Sequence, residues 1–239
     1  MIEPVLFGDS HVATYMRAAR ANGVSTINGS PLGGARLYNE PFFEIADGQM
    51  RFTSAETSQN FVLFRQRTKI DDLIQCRGRL IVSMGLAAAP FYGDRQWQSR
   101  YYGALPCGGR QFVSSAVIEQ MISDAQKPVL DFYKAGLDHG LIVASIAGPP
   151  PQRRHRAVEW LGCDAVFDLE ARFEAPVRQY LAERGCPIIA PADVVDGDGF
   201  LREEYWGPDW AHANEKYGTL VIETVLKFVG ERQPSPVGA

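Results

Sequence analysis

Little in this sequence could hold a metal, a nucleotide or a nucleic acid. The four cysteines, Cys76, Cys107, Cys163 and Cys186, are far apart, with no C-x-x-C pair and no His at zinc-ligand spacing. Spread through 239 residues, they read as reduced core residues rather than a disulfide framework. The pairs Gly33-Gly34 and Gly108-Gly109 match neither a phosphate loop nor a dinucleotide fingerprint. Gly197-Asp198-Gly199 has too few spaced carboxylates for a calcium loop. No cofactor and no metal are expected. Lys and Arg total 24 against 28 Asp and Glu, a net charge of −4, so the basic field that nucleic acid needs is missing.

Long apolar runs are also missing. None approaches the ~18 residues of a membrane span. Met1-Ile2-Glu3-Pro4 brings no basic leader region, so the expectation is a cytoplasmic protein without a membrane span. Hydrophobic residues at 46% and charged residues at 22% exclude wholesale disorder.

What is present is a set of five short apolar runs: Pro4–Phe7, Val24–Ile27, Leu80–Val82, Leu141–Ile146 and Pro187–Ala190. Each is continuous rather than alternating, the pattern of strands covered on both faces of a parallel sheet. Helical stretches separate them. Ser10–Ala21 ends at Asn22-Gly23; Ser114–Leu137 carries Pro128, which should kink or split it; and Tyr217, Val221, Val225 and Phe228 fall at helical spacing before Gly230. The alternation predicts a doubly wound α/β sandwich, with one domain over 1–232 and a frayed tail over 233–239. Two stretches, Gly34–Thr57 and Ala87–Gly109, are too long for ordinary connections. Following the second and third strands, they are placed to wall a ligand crevice.

The first strand runs into Gly8-Asp9-Ser10-His11 and then a helix. A serine on such a corner exposes its hydroxyl, and its own N–H points where a negative oxygen would sit. The alternative is that Ser10 or Asp9 is only an ordinary helix N-cap. A nucleophilic serine needs a base, and the base needs an orienting carboxylate. Asp209 and His212, three apart in Trp206-Gly207-Pro208-Asp209-Trp210-Ala211-His212, meet through one tight turn just before the last helix.

These two blocks, Gly8-Asp9-Ser10 and Asp209-x-x-His212-x-Asn214-x-x-Tyr217-Gly218, resemble the SGNH (GDSL-type) hydrolase superfamily. The resemblance implies a flavodoxin-like three-layer α/β/α fold with a five-stranded parallel sheet ordered 2-1-3-4-5. It also implies esterase, lipase, deacetylase or acyltransferase chemistry without a metal. Ser10 would be the nucleophile, His212 the base and Asp209 its orienter. The oxyanion hole would use the Ser10 N–H, a glycine after strand two (Gly33, with Gly34 or Gly29 as alternatives) and Gly85 after strand three. The family's third block places an Asn two residues after that glycine, where this chain has Leu86 and Ala87.

The function expected is a serine ester hydrolase or O-acyltransferase acting on an acylated carbohydrate or other small ester. The alternative is a non-catalytic carbohydrate or small-ligand binding protein on the same fold. His11, beside the nucleophile, resembles the Gly-Asp-Ser-His variant of family members linked to polysaccharide acyl modification. After Gly148-Pro149-Pro150-Pro151 comes Gln152-Arg153-Arg154-His155-Arg156. Arg153 and Arg154 are read as contacts to an anionic substrate, or else as a solvated helix start paired with Glu159, Asp164 or Glu170. Trp206 offers a flat face for a sugar ring.

Overall fold

The computed structural model describes residues 3–34, 38, 40–102 and 109–232. Cys107 and the tail 233–239 lie outside the described residues. Strand β1 (Val5–Gly8) leads through helix α1 (His11–Ala21) to β2 (Asn28–Pro31). A hairpin of β3 (Phe43–Ala46) and β4 (Gln49–Phe52) precedes α2 (Ala55–Thr68). Then come β5 (Leu80–Ser83), the short α3 (Ala89–Tyr92), β6 (Arg100–Tyr101), β7 (Gln111–Phe112) and the long α4 (Ser115–Asp138). The elements β8 (Ile142–Ile146), α5 (Arg156–Leu161), α6 (Cys163–Glu183), β9 (Ile188–Ile189) and α7 (Glu215–Glu231) follow.

The main sheet has five strands in the order β2-β1-β5-β8-β9, all paired in parallel. Numbered within the sheet, that is 2-1-3-4-5, the order the sequence resemblance implied. Burial on both faces explains the continuous apolar runs. Val5 and Phe7 of β1, with Leu80 and Val82 of β5, pack against Phe132 of α4 and Val177 of α6. Leu6, Ile81 and Ile146 turn the other way, onto Val12 and Tyr15 of α1 and Val221 of α7. Helices therefore cover both faces, giving three layers. A third cluster, around the fully buried Trp97, ties α3 to the first turns of α4 and α6.

Three expectations need correction. The second strand is not Val24–Ile27 but Asn28–Pro31, a polar segment that reads as a turn. It serves as a strand because it is an edge, where one neighbour suffices. Gly29 also lets its backbone lie against Leu6, since a Cβ there would run into the Leu6 backbone. Pro128 does not split its helix, which runs unbroken from Ser115 to Asp138. The hydrogen bond that the proline removes is offset by the burial of Val129, Phe132 and Tyr133 in the next turn. The two long stretches are not bare loops: the first holds the β3–β4 hairpin, and the second holds α3, a 3₁₀ turn at Arg95–Gln98 and β6.

The described cysteines, Cys76, Cys163 and Cys186, are free thiols. Burial pushes the Cys76 and Cys186 thiols up to about 11, which keeps them protonated and unreactive at neutral pH. No described helix is long and apolar enough to cross a membrane.

Candidate active site

The chain turns sharply out of β1 at Gly8, which has φ of +146° and lies so close to the Ser83 backbone that a Cβ would collide with it. The Asp9 N–H donates to the Ser83 carbonyl at 2.8 Å, pinning the corner to β5. Asp9 is buried and takes over the helix-capping role, since its Oδ1 accepts from the His11 N–H at 3.0 Å. Ser10 makes no side-chain cap bond. Its hydroxyl is left for another partner: Oγ lies 2.7 Å from His212 Nε2. Ser10 therefore does not serve as the ordinary N-cap that its position also allowed.

His212 is presented by a pinched loop. Trp206 and Ala213 bridge across its base, and the Gly207 N–H donates to the His212 carbonyl at 3.0 Å. Gln152, buried in the loop after β8, donates to the same carbonyl at 2.7 Å. At the tip, Asp209 Oδ1 accepts from the Ala211 and His212 N–H groups, each at 2.8 Å. Its two carboxylate oxygens lie 2.9 and 3.0 Å from His212 Nδ1. A carboxylate only accepts, so Nδ1 carries the proton and Nε2 is free to accept from Ser10. Partial burial works to raise the Asp209 pKa. The hydrogen bonds from the Ala211 N–H and from His212 outweigh it and hold the carboxyl below the usual carboxylate range.

His11 lies beneath this pair. It is buried, with Nδ1 3.0 Å from Asp9 Oδ1 and Nε2 3.2 Å from the Ala211 carbonyl. Both ring nitrogens thus face acceptors, which an imidazolium alone satisfies. Burial works to lower its pKa, but the Asp9 charge, the Asp9 and Ala211 hydrogen bonds and the more distant Asp209 raise it overall.

Ser10, His11 and His212 line one cavity of about 430 Å³, a size suited to a small ligand. Gly34 and Glu56, from either end of the first long stretch, and Pro90 and Gly93, from the second, line it too. Both stretches therefore contribute wall, as their position after the strands suggested. Of the expected oxyanion glycines, Gly34 lines the cavity, whereas Gly33 and Gly85 do not. Gly29 is committed to the β1–β2 pairing. Gly85 has φ of +70° and faces α4 and α6, where a Cβ would meet Val129, Gln126 and Val177; its carbonyl accepts from Gln126 Nε2 at 2.9 Å. No Asn or Gln side chain lines the cavity among the described residues. The Ser10 N–H has no acceptor among the described residues, and it points from the first turn of an eleven-residue helix.

The arginine run divides. Arg153 is paired with Asp196 and Asp198 at 3.1 and 2.6 Å, on an exposed turn. Arg154 donates to the Gly207 and Asp209 carbonyls at 2.6 and 2.9 Å and lies over the Trp206 ring. Neither lines the cavity, nor does Trp206, whose Nε1 donates to the Leu201 carbonyl at 2.8 Å. The residues that sequence reasoning passed over are Arg156 and Trp210, both in the cavity wall. Only the motif spacing hinted at Trp210, which sits between Asp209 and Ala211. No group of three His, Cys, Asp or Glu residues is placed to hold a metal ion among the described residues.

The sequence matches no protein-family model and no curated protein. Solved structures similar to it include a GDSL-like lipase from Bacteroides thetaiotaomicron, 14% identical over 96% of this chain and 88% of that one, with a TM-score of 0.48. An acetyl xylan esterase is 10% identical over 95% of this chain and 99% of that one, with a TM-score of 0.48. The lipase/acylhydrolase from Enterococcus faecalis is 15% identical over 100% of both chains, with a TM-score of 0.42.

Proposed function

We propose that this protein is a serine ester hydrolase working through an acyl-enzyme on Ser10. The observation that carries the reading is the 2.7 Å contact between Ser10 Oγ and His212 Nε2, with Asp209 on the far side of the ring, in the wall of a ligand-sized cavity. Ser10 Oγ attacks the ester carbonyl carbon while its proton passes to His212 Nε2. The resulting oxyanion is met by the Ser10 N–H, with a backbone N–H at Gly34 as the second donor. The carbonyl re-forms, the C–O bond to the alcohol breaks, and His212 returns the proton to the departing alkoxide. Water then attacks the acyl carbon while giving a proton to His212; the bond from that carbon to Ser10 Oγ breaks, His212 returns the proton to Oγ, and the acid leaves. A sugar hydroxyl in place of water makes the same site an O-acyltransferase, and an acylated carbohydrate is the substrate we favour. Asp209 stabilises the imidazolium formed in each half.

Active-site labelling with a fluorophosphonate tests this reading. The native protein is expected to take the label, with Ser10→Ala and His212→Ala blank. Equal labelling of native protein and Ser10→Ala would sink it. With an acyl p-nitrophenyl ester in hand, adding free sugar and assaying for acylated sugar separates transfer from hydrolysis.

A further inference from the structure

The cavity holds an arginine whose charge is unspent. Arg156 opens α5 and lines the cavity with Ser10 and His212. Among the described residues no carboxylate is paired with it, whereas Arg153 is occupied by two aspartates and Arg154 by two carbonyls. Of its five donors one bond is made, from Nη2 to the Gly93 carbonyl at 3.1 Å, and Nε is buried without a partner. A buried, unpaired donor on a charged group is costly to leave so, and the residue that carries it lines a ligand cavity.

The guanidinium is also held in place. Its Cζ lies 4.5 Å from the centre of the Trp210 ring and 5.2 Å from that of Trp160. Trp210 in turn packs edge-on to His155, with ring centres 4.5 Å apart. His155 brings no second charge: its Nδ1 accepts from the Ala157 N–H at 3.0 Å, so the ring is neutral. Burial, helped by the adjacent Arg156 charge, pushes its pKa down to about 4. The one carboxylate in the same lining besides the buried Asp9 is the exposed Glu56 on the first turn of α2. A planar cation held against two indoles, with donors to spare, suits a carboxylate approached in its own plane.

We infer that Arg156 is the specificity determinant of this site and that the substrate is an anionic ester, carrying a carboxylate apart from the ester group being cleaved. The inference rests on the ester-hydrolase reading and names its substrate class. Because Trp210 lies between Asp209 and Ala211, the carboxylate is gripped against the same turn that carries the base.

A matched pair of esters tests it: the p-nitrophenyl monoester of glutarate, which is anionic, and p-nitrophenyl valerate, which is neutral and similar in length. The native protein is expected to prefer the anionic ester in kcat/KM. In Arg156→Gln that preference should collapse by about 10- to 100-fold, mostly through KM, with Arg156→Lys falling between. No preference in the native protein, or an unchanged ratio in Arg156→Gln, overturns the proposal. Failure of the hydrolase reading itself is told apart by a binding arm. Ser10→Ala protein is titrated calorimetrically with monomethyl glutarate and with dimethyl glutarate. Binding of the monoester alone, abolished by adding Arg156→Gln, supports the anion subsite even where no turnover occurs. Equal binding of both esters, or of neither, overturns it.

Discussion

The imidazole rings of His11 and His212 lie 5.1 Å apart, centre to centre, and tilted by 41°. One is clamped between Asp9 and the Ala211 carbonyl, two acceptors that favour its protonated form, and the other is the base we assign to Ser10. His11 thus ties the corner bearing the serine to the loop bearing the base, 200 residues away in sequence. Its folded-state pKa lies above 6.5. A group raised on folding stabilises fully below its unfolded pKa and loses that contribution as pH climbs through the folded one. Native protein should therefore exceed His11→Gln in unfolding free energy most below about pH 6.5, with the gap closing as pH rises above that value through the raised folded-state pKa. Urea melts across that range decide the matter, and a gap independent of pH would mean that His11 is held neutral.

Asp209 performs two tasks that a single substitution can separate. Its Oδ1 caps the turn by accepting from two N–H groups at 2.8 Å, while both oxygens face His212 Nδ1. In Asp209→Asn the amide oxygen can keep the turn, but only one acceptor survives to serve both the turn and the ring. The expected result is a protein of nearly native thermal stability whose kcat on p-nitrophenyl acetate falls. Loss of the equivalent carboxylate from a buried triad costs ~10⁴-fold. Asp209 is about half exposed, with 46% of its side chain accessible, so water can partly take its place and a loss of about 10²-fold is expected. Unchanged kcat would remove Asp209 from the mechanism.

Arg153 and Arg154 should behave differently from each other and from Arg156. Arg154 holds two carbonyls of the loop that carries Asp209 and His212. Arg154→Ala is expected to cut kcat on neutral and anionic esters by the same factor and to lower Tm by about 2–6 °C. Arg153 sits with Asp196 and Asp198 on an exposed turn, where ion pairs contribute little. Arg153→Ala should leave both substrates within about twofold of native. A selective loss on the anionic ester in either variant would move the anion subsite away from Arg156.

These contrasts show what the sequence could and could not reveal. Ser10, Asp209 and His212 were legible because each is marked by its immediate neighbours: a strand-to-helix corner for one, a three-residue spacing for the others. The buried parallel strands were legible because runs such as Leu80–Val82 are apolar throughout, whereas their order in the sheet came only from the family resemblance. Strand β2 was not, because an edge strand reading Asn28-Gly29-Ser30-Pro31 carries no apolar signature. Nor was the functional member of the arginine run. Which of Arg153, Arg154 and Arg156 is left unpaired depends on Asp196, Asp198 and the Gly207 and Asp209 carbonyls, all some 40 or more residues downstream. The choice between Trp206, whose Nε1 is spent on the nearby Leu201 carbonyl, and Trp210, which lines the cavity, was hidden as well, because it depends on how the loop between them folds.

Two glycines test whether the serine corner is as tightly built as its geometry implies. At Gly8, φ is +146°, and an added Cβ would collide with the backbone of Ser83. That backbone cannot give way cheaply, since its carbonyl accepts from the Asp9 N–H and the Ser83 hydroxyl donates to Asp9 Oδ1 at 3.2 Å. Separating β1 from β5 there would also shift Ser10 away from His212. Gly8→Ala is therefore expected to lose more than about 3 kcal/mol of unfolding free energy and all labelling at Ser10, or to fail to fold. Gly230, near the end of α7, is the opposite case: φ is ordinary for a helix, and nothing lies within 4 Å of an added Cβ. Gly230→Ala should gain about 0.5–1 kcal/mol by restricting the unfolded chain and leave labelling untouched. Chemical denaturation of both variants beside the native protein provides the measurement. A Gly8→Ala protein as stable and as readily labelled as native would show that the corner has slack, and the 2.7 Å contact between Ser10 and His212 would then owe nothing to it.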